Sequence, residues 1–291
     1  MRACLIPFAM LLAMPALAQA PVRTDPPADA GYPAASAAFT LPTHGVAINA
    51  LFYLASGAGP HPTLLLMHGF PGNEQNLDLA QAIRRAGWNV LTLHYRGTWG
   101  SPGAFSFAHC AEDAKAAVDF LESPEAVAKY RIDPSRIVVG GHSMGGMMTA
   151  RVAADDRHVI GAFLIDAWDI AGLGRANAAD PAARAAYIKR DLDGDMPPLG
   201  GTSEAALLAE QEAASPTIDL IRTVPGIAPR PVLVIGAERA LGSTARKAAA
   251  AIEAAGDKDV TLIVMPTDHV FSDHRIALAD AVVGWLARFQ R

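Results

Sequence analysis

Short apolar, β-branched runs alternate along most of this chain with longer stretches whose apolar positions recur at helical spacing. The short runs read as buried strands and the longer ones as helices packed on them. Strand signals cover residues 37–41, 47–54, 63–67, 88–93, 137–140, 159–165, 231–235 and 260–265. Helical signals cover 74–85, 111–121, 147–153, 244–255 and 275–289. Strands separated by helices predict an α/β fold: a mostly parallel, doubly wound sheet of about eight strands with helices on both faces. The first two strands flank Pro42-Thr43-His44-Gly45, a hairpin signal, so they form the antiparallel edge.

The alternation breaks between residues 170 and 229. Helical runs at 181–189 and 203–213 are separated there by Pro197-Pro198 and Gly200-Gly201. This stretch is expected to be a small helical cap inserted into one domain running from residue 37 to 291. Residues 21–36, rich in Pro, Ala and Asp, read as a flexible lead-in.

Residues 1–20 have the pattern of a signal peptide: Arg2, an apolar core at 5–16, then Ala18-Gln19-Ala20 before a cleavage point. The core is shorter than the ~20 residues of a spanning helix, so cleavage rather than anchoring is expected. The expected location is the periplasm or the exterior, with no membrane attachment afterwards. Cys4 leaves with this segment, and Cys110 remains as a lone packed thiol. Neither a disulfide nor a cysteine metal site is then available.

With 51% hydrophobic residues in 291, the chain can bury a large core. Its net charge of −5 and scattered basic residues exclude nucleic acid as the main partner. No metal or cofactor is implied.

Parallel sheets place their sites at the carboxyl ends of their strands. His68, His94, Ser143 and Asp166 all fall at such ends. Ser143 lies in Gly141-His142-Ser143-Met144-Gly145, after an apolar strand and before a helix. A strand, a tight glycine turn and a helix raise a serine hydroxyl above the sheet for attack. Such a hydroxyl needs a base and donors for an oxyanion. The base is read as His269, in the loop Thr267-Asp268-His269 after the last strand. His274 is the rival, but it sits where the last helix begins. Asp268 reads as a turn former. The donors are read as the backbone N–H groups of Met144 and of Phe70, in His68-Gly69-Phe70-Pro71-Gly72.

These motifs, in this order and at these strand ends, resemble the α/β-hydrolases from about Ala37 to the C-terminus. Tyr95-Arg96-Gly97-Thr98-Trp99-Gly100 is also similar to a loop of prolyl-oligopeptidase-like and dienelactone-hydrolase-like members. The resemblance implies Ser143 as nucleophile, His269 as base, and Phe70 and Met144 as oxyanion donors. It implies hydrolysis of a small-molecule ester or related acyl substrate through an acyl-enzyme, with a serine peptidase as the alternative activity. The departure is at the acid. The family places it just after the strand that follows the cap, and Ala240 stands there. Three readings remain: Glu238 bends in from the same loop, Asp166 serves from the end of the sixth strand, or the acid is missing. The last would leave a catalytically weakened binding protein. Tyr95, Trp99 and Trp168 are candidate substrate-binding residues. Arg96 either binds a substrate carboxylate or ties its loop to an Asp.

Overall fold

The computed structural model describes residues 21–290. The expected signal peptide, 1–20, lies outside them. Eight strands form one sheet: β1 (Ala35–Thr43), β2 (Val46–Leu54), β3 (His61–Met67), β4 (Asn89–Leu93), β5 (Ile132–His142), β6 (Val159–Ile165), β7 (Val232–Ala237) and β8 (Val260–Met265). Their order across the sheet is β1-β2-β4-β3-β5-β6-β7-β8. β2 runs antiparallel to both β1 and β4, and all other pairs are parallel.

The apolar pattern explains this arrangement. Along β3, Leu65 and Met67 enter one core layer while Leu64 and Leu66 enter the other. β5 does the same with Val139 and Val138. Strands covered on both faces read as unbroken apolar runs rather than alternating ones. The edge hairpin turns at His44 and Gly45, whose φ angles are 41° and 83°, and Thr43 pairs directly with Val46. Two residues at positive φ make the turn whose twist matches the strands it joins.

The helix Pro124–Tyr130 has no counterpart among the expected elements, and β1, β5 and the helix Phe107–Glu122 differ from expectation at their starts. β1 starts at Ala35, two residues inside the expected lead-in. Upstream of it, Arg85 donates to the carbonyls of Pro21 and Val22, and Gly57 N–H donates to Tyr32 O at 2.9 Å. β5 starts at Ile132, before Asp133-Pro134-Ser135. The register on β3 jumps from His61–Ile132 to Thr63–Ile137, so the extra residues bulge, and Asp133 holds the bulge by accepting from Ser135. The helix Phe107–Glu122 starts four residues before the expected 111. Ser106 caps it by accepting from His109 N–H, which local sequence signals. Glu210, from the expected cap, accepts from the N–H groups of Phe107 and Ala108, which local sequence cannot signal. Cys110 is fully buried inside this helix, and burial pushes its thiol pKa well up.

Residues 170–229, the stretch expected to be a cap, lie between β6 and β7 and hold the helices Ile170–Ala179, Pro181–Tyr187, Glu204–Glu212 and Leu220–Thr223. Besides Glu210, a backbone ladder joins it to the body. Trp99 N–H donates to Pro198 O, Gly200 N–H to Gly97 O, and Phe105 N–H to Gly200 O.

The loop after β4 is held by one buried carboxylate. Asp113 accepts from Thr43 Oγ at 2.8 Å, from Arg96 N–H at 2.8 Å and from Arg96 Nε at 2.7 Å. Arg96 therefore ties its loop to an Asp, the second of its two expected roles. Removing one partner of a buried ion pair strands the other. Asp113→Ala should cost about 3 kcal/mol in urea unfolding, the low end of the usual range because Glu112 still holds Arg96. A loss below about 1 kcal/mol would show that the pair is not holding the loop.

Candidate active site

Ser143 stands between β5 and the helix Met144–Asp155 with φ 57° and ψ −119°. A non-glycine residue at positive φ is strained, and its surroundings must hold it there. Ser143 N–H donates to Ile165 O at 2.9 Å, on the neighbouring strand. The glycines around it are sterically required. A Cβ on Gly145 would sit 2.2 Å from Met67 O, and one on Gly141 would sit 2.3 Å from Gly145 O. Backbone therefore packs on backbone at the turn, and the serine is pushed to the top of the sheet.

Asp166 ends β6, also at positive φ, and is fully buried. Its Oδ1 accepts from Ala237 N–H at 2.8 Å, and its Oδ2 from Leu241 N–H at 3.3 Å. His269 Nδ1 lies 2.6 Å from the same Oδ2. A carboxylate can only accept, so Nδ1 carries the proton and Nε2 keeps its lone pair. The last residue of β7 and the loop after it, where the resemblance places the acid, supply these donors to Asp166 instead. Glu238 in that loop points to Arg246 at 2.5 Å and is exposed. The structure thus brings Asp166 to His269 and leaves Glu238 on the surface.

The loop carrying His269 is braced on several sides. His142 Nε2 lies 2.8 Å from His269 O. Arg275 donates to Val270 O and to Asn76 Oδ1, each at 3.0 Å. Asp268 accepts from Ser272 N–H, as a turn former does. His274 flanks the start of the last helix and pairs with Asp273.

Opposite lies the His68–Gly72 loop. A Cβ on Gly69 would sit 2.9 Å from Ser143 Cβ, so this backbone lies directly against the serine. Phe70 follows, and Met144 begins the helix on the other side. His68 is buried, lies 2.7 Å from Gly69 O through Nδ1, and has its pKa lowered by burial to about 4. It is neutral and braces the turn. His142 is likewise buried, and burial together with the neighbouring His269 lowers its pKa to about 3.

The aromatic candidates divide. Trp168 is partly exposed and its backbone N–H donates to Ser143 O at 3.0 Å. Its ring lies 6.1 Å from Phe70 and 5.6 Å from Phe107. Trp99 is 41% exposed and donates from Nε1 to Pro71 O. Tyr95 is a correction: it is fully buried, edge-on to His68, and presents nothing to a ligand. Phe105 and Phe107 were missed. They back Phe70 at 5.6 and 5.7 Å, and the Phe105-Ser106-Phe107 pattern at the end of a glycine-rich loop was the available signal.

Residues 64–281 match the sequence profile of the alpha/beta hydrolase family. The chain belongs to that family. Among its relatives, a cutinase of Thermobifida fusca is 28% identical over 172 residues, 56% of each chain. An sn-1-specific diacylglycerol lipase, ABHD11 of Xenopus tropicalis, is 29% identical over 177 residues, 60% of this chain and 51% of that one. The chain thus spans about half the length of these curated relatives. A thermostable carboxylesterase cloned from a metagenomic library superposes with a TM-score of 0.66 at 21% identity, covering 89% of this chain and 91% of that one. In this alpha/beta hydrolase one group among the described residues could hold a cation: Glu122, Asp156 and His158. Asp156 lies just past the far end of the helix that Ser143 starts, roughly 18 Å away at helical rise.

The two buried histidines have a pH signature. Both have folded-state pKa values below the unfolded value near 6.5, so below that pH the unfolded chain binds more protons. Each contributes stability that is complete above about pH 6.5. It is lost on acidification at about 1.4 kcal/mol per pH unit, down to about 4 for His68 and 3 for His142. Urea unfolding between pH 4.5 and 6.5 should lose about one proton of slope in His142→Gln. An unchanged slope would mean that His142 is charged when folded.

Proposed function

We propose that this alpha/beta hydrolase is a serine hydrolase that cleaves carboxylic esters or related acyl compounds through an acyl-enzyme on Ser143. The observation that carries this reading is the 2.6 Å contact between His269 Nδ1 and the buried Asp166 carboxylate. It leaves Nε2 basic, in a loop braced against the residue before the strained serine. His269 Nε2 takes the Ser143 proton as Oγ attacks the carbonyl carbon. The oxyanion is received by the N–H groups of Phe70 and Met144, both fixed by backbone packing before the substrate arrives. The protonated imidazole, stabilised by Asp166, returns its proton to the leaving alcohol. Water, activated by the same base, attacks the acyl carbon and frees Ser143. Phe70 and Trp168 offer apolar surface beside the serine for the acyl or leaving group.

Two alternatives have less behind them. The binding-protein reading rested on Ala240, and Asp166 supplies the carboxylate that Ala240 cannot. The peptidase reading has the likeness of the loop after β4 behind it, but none of the relatives and structures given above is named as a peptidase. The relatives named as lipase, cutinase and carboxylesterase favour an ester. Export to the periplasm or exterior belongs to the same proposal, on the pattern of residues 1–20. Among the described residues no helix is long and apolar enough to cross a membrane.

A fluorophosphonate probe should label Ser143, and Ser143→Ala should abolish both labelling and turnover of short 4-nitrophenyl esters. Asp166→Asn should lower kcat by about 10²–10⁴, and Glu238→Gln by less than about twofold. Wild-type protein that neither labels nor turns over any ester of a chain-length panel would overturn the reading. N-terminal sequencing of exported protein should begin at Pro21; an intact Met1 would contradict export by cleavage.

A further inference from the structure

His142 lies between the nucleophile and the base, and the chemistry above gives it no role. It is the residue before Ser143, at the end of β5, and only 3% of it is exposed. Its Nε2 lies 2.8 Å from the carbonyl oxygen of His269, and the two imidazole rings lie 4.5 Å apart at 42°. A carbonyl only accepts, so Nε2 carries the proton and Nδ1 is bare. That Nδ1 is buried and makes no hydrogen bond among the described residues. The tautomer is therefore set by the carbonyl of the base itself. Asp166 fixes the side chain of His269, and His142 fixes its backbone.

We infer that His142 is a positioning residue: it clamps the main chain of His269 to the strand that carries Ser143, so that base and nucleophile keep one separation through the reaction. This rests on the serine-hydrolase reading for its effect on rate, but the clamp is a property of the folded chain and can be read without turnover. The physical need is plain. His269 sits on a loop, partly exposed, after an edge strand. Loop residues drift unless they are tied, and a base displaced by about 1 Å can cost about 10² in rate. Arg275 ties the next residue, Val270. His142 is the tie that leads directly to the nucleophile's own strand. Neutrality is part of the device, because a charged His142 would oppose the positive charge that His269 gains during the reaction. The side chains of His269, His68 and Arg275 that face His142 all disfavour a charge on it, and only the hydrogen bond to the His269 carbonyl works the other way.

Two amides separate a clamp from packing. The Gln amide nitrogen reaches the position of histidine Nε2, whereas that of Asn reaches only Nδ1. His142→Gln should keep kcat within about fivefold of wild type, while His142→Asn and His142→Phe lose about 30- to 100-fold in kcat with KM changed by less than about threefold. Rescue by Gln but not Asn is what a merely structural residue would not give. The second readout is the downfield proton resonance of His269 Nδ1–H on Asp166. It should persist in wild type and His142→Gln, and broaden or vanish in His142→Phe and His142→Asn. Equal behaviour of Gln and Asn, an undiminished kcat in the Phe variant, or a loss confined to KM would overturn the inference. An inert wild type that retains the resonance pattern across the variants would sink the hydrolase reading and leave the clamp standing. A resonance indifferent to all three substitutions would sink the clamp.

Discussion

Everything at the top of this sheet depends on where one buried negative charge is put. Asp166 closes β6 and is held by two backbone N–H groups, one from the last residue of β7 and one from the loop after it. Its remaining strong partner is His269, from the loop after β8. One carboxylate thus joins the ends of three neighbouring strands. A fully buried carboxylate is costly unless its oxygens are satisfied, and here both are. The same bonds that make its burial tolerable fix the tautomer and direction of the imidazole. In the proposed centre the acid stands at the end of β6 rather than in the loop after β7, and its charge still meets the imidazole.

The second constraint is backbone proximity. At Gly141 and Gly145 carbonyls come within distances that no Cβ could share. This packing forces Ser143 to positive φ and brings the His68–Gly72 loop against its Cβ. The strain at Ser143 and Asp166 is borne by surroundings that are mostly buried. Neutral histidines complete it. His68 and His142 brace the two loops by hydrogen bonds to carbonyls, and burial keeps both uncharged.

Much of this was legible in the sequence because the signals are local. The buried parallel strands announce themselves as apolar runs; those at 159–165 and 260–265 have the bounds of β6 and β8. The glycines around Ser143 announce a tight turn. What depends on contacts between distant segments was not legible. The choice between Asp166 and Glu238 turned on which carboxylate His269 reaches across the sheet. Glu210 lengthens a helix some hundred residues before it. Tyr95 lies next to exposed-looking loop residues but its ring turns inward against His68. Phe105 and Phe107 join Phe70 and Trp168 only once the loop after β4 has folded over.

In the proposed mechanism Ser143, His269, Asp166 and the N–H groups of Phe70 and Met144 form one acyl-transfer centre. A crystal structure of the protein inactivated with a fluorophosphonate tests it most directly. The account predicts phosphorus bonded to Ser143 Oγ, the phosphonyl oxygen within hydrogen-bond distance of both the Phe70 and Met144 N–H groups, and His269 still on Asp166. A phosphonyl oxygen turned away from those two N–H groups, or His269 paired with Glu238, would contradict it.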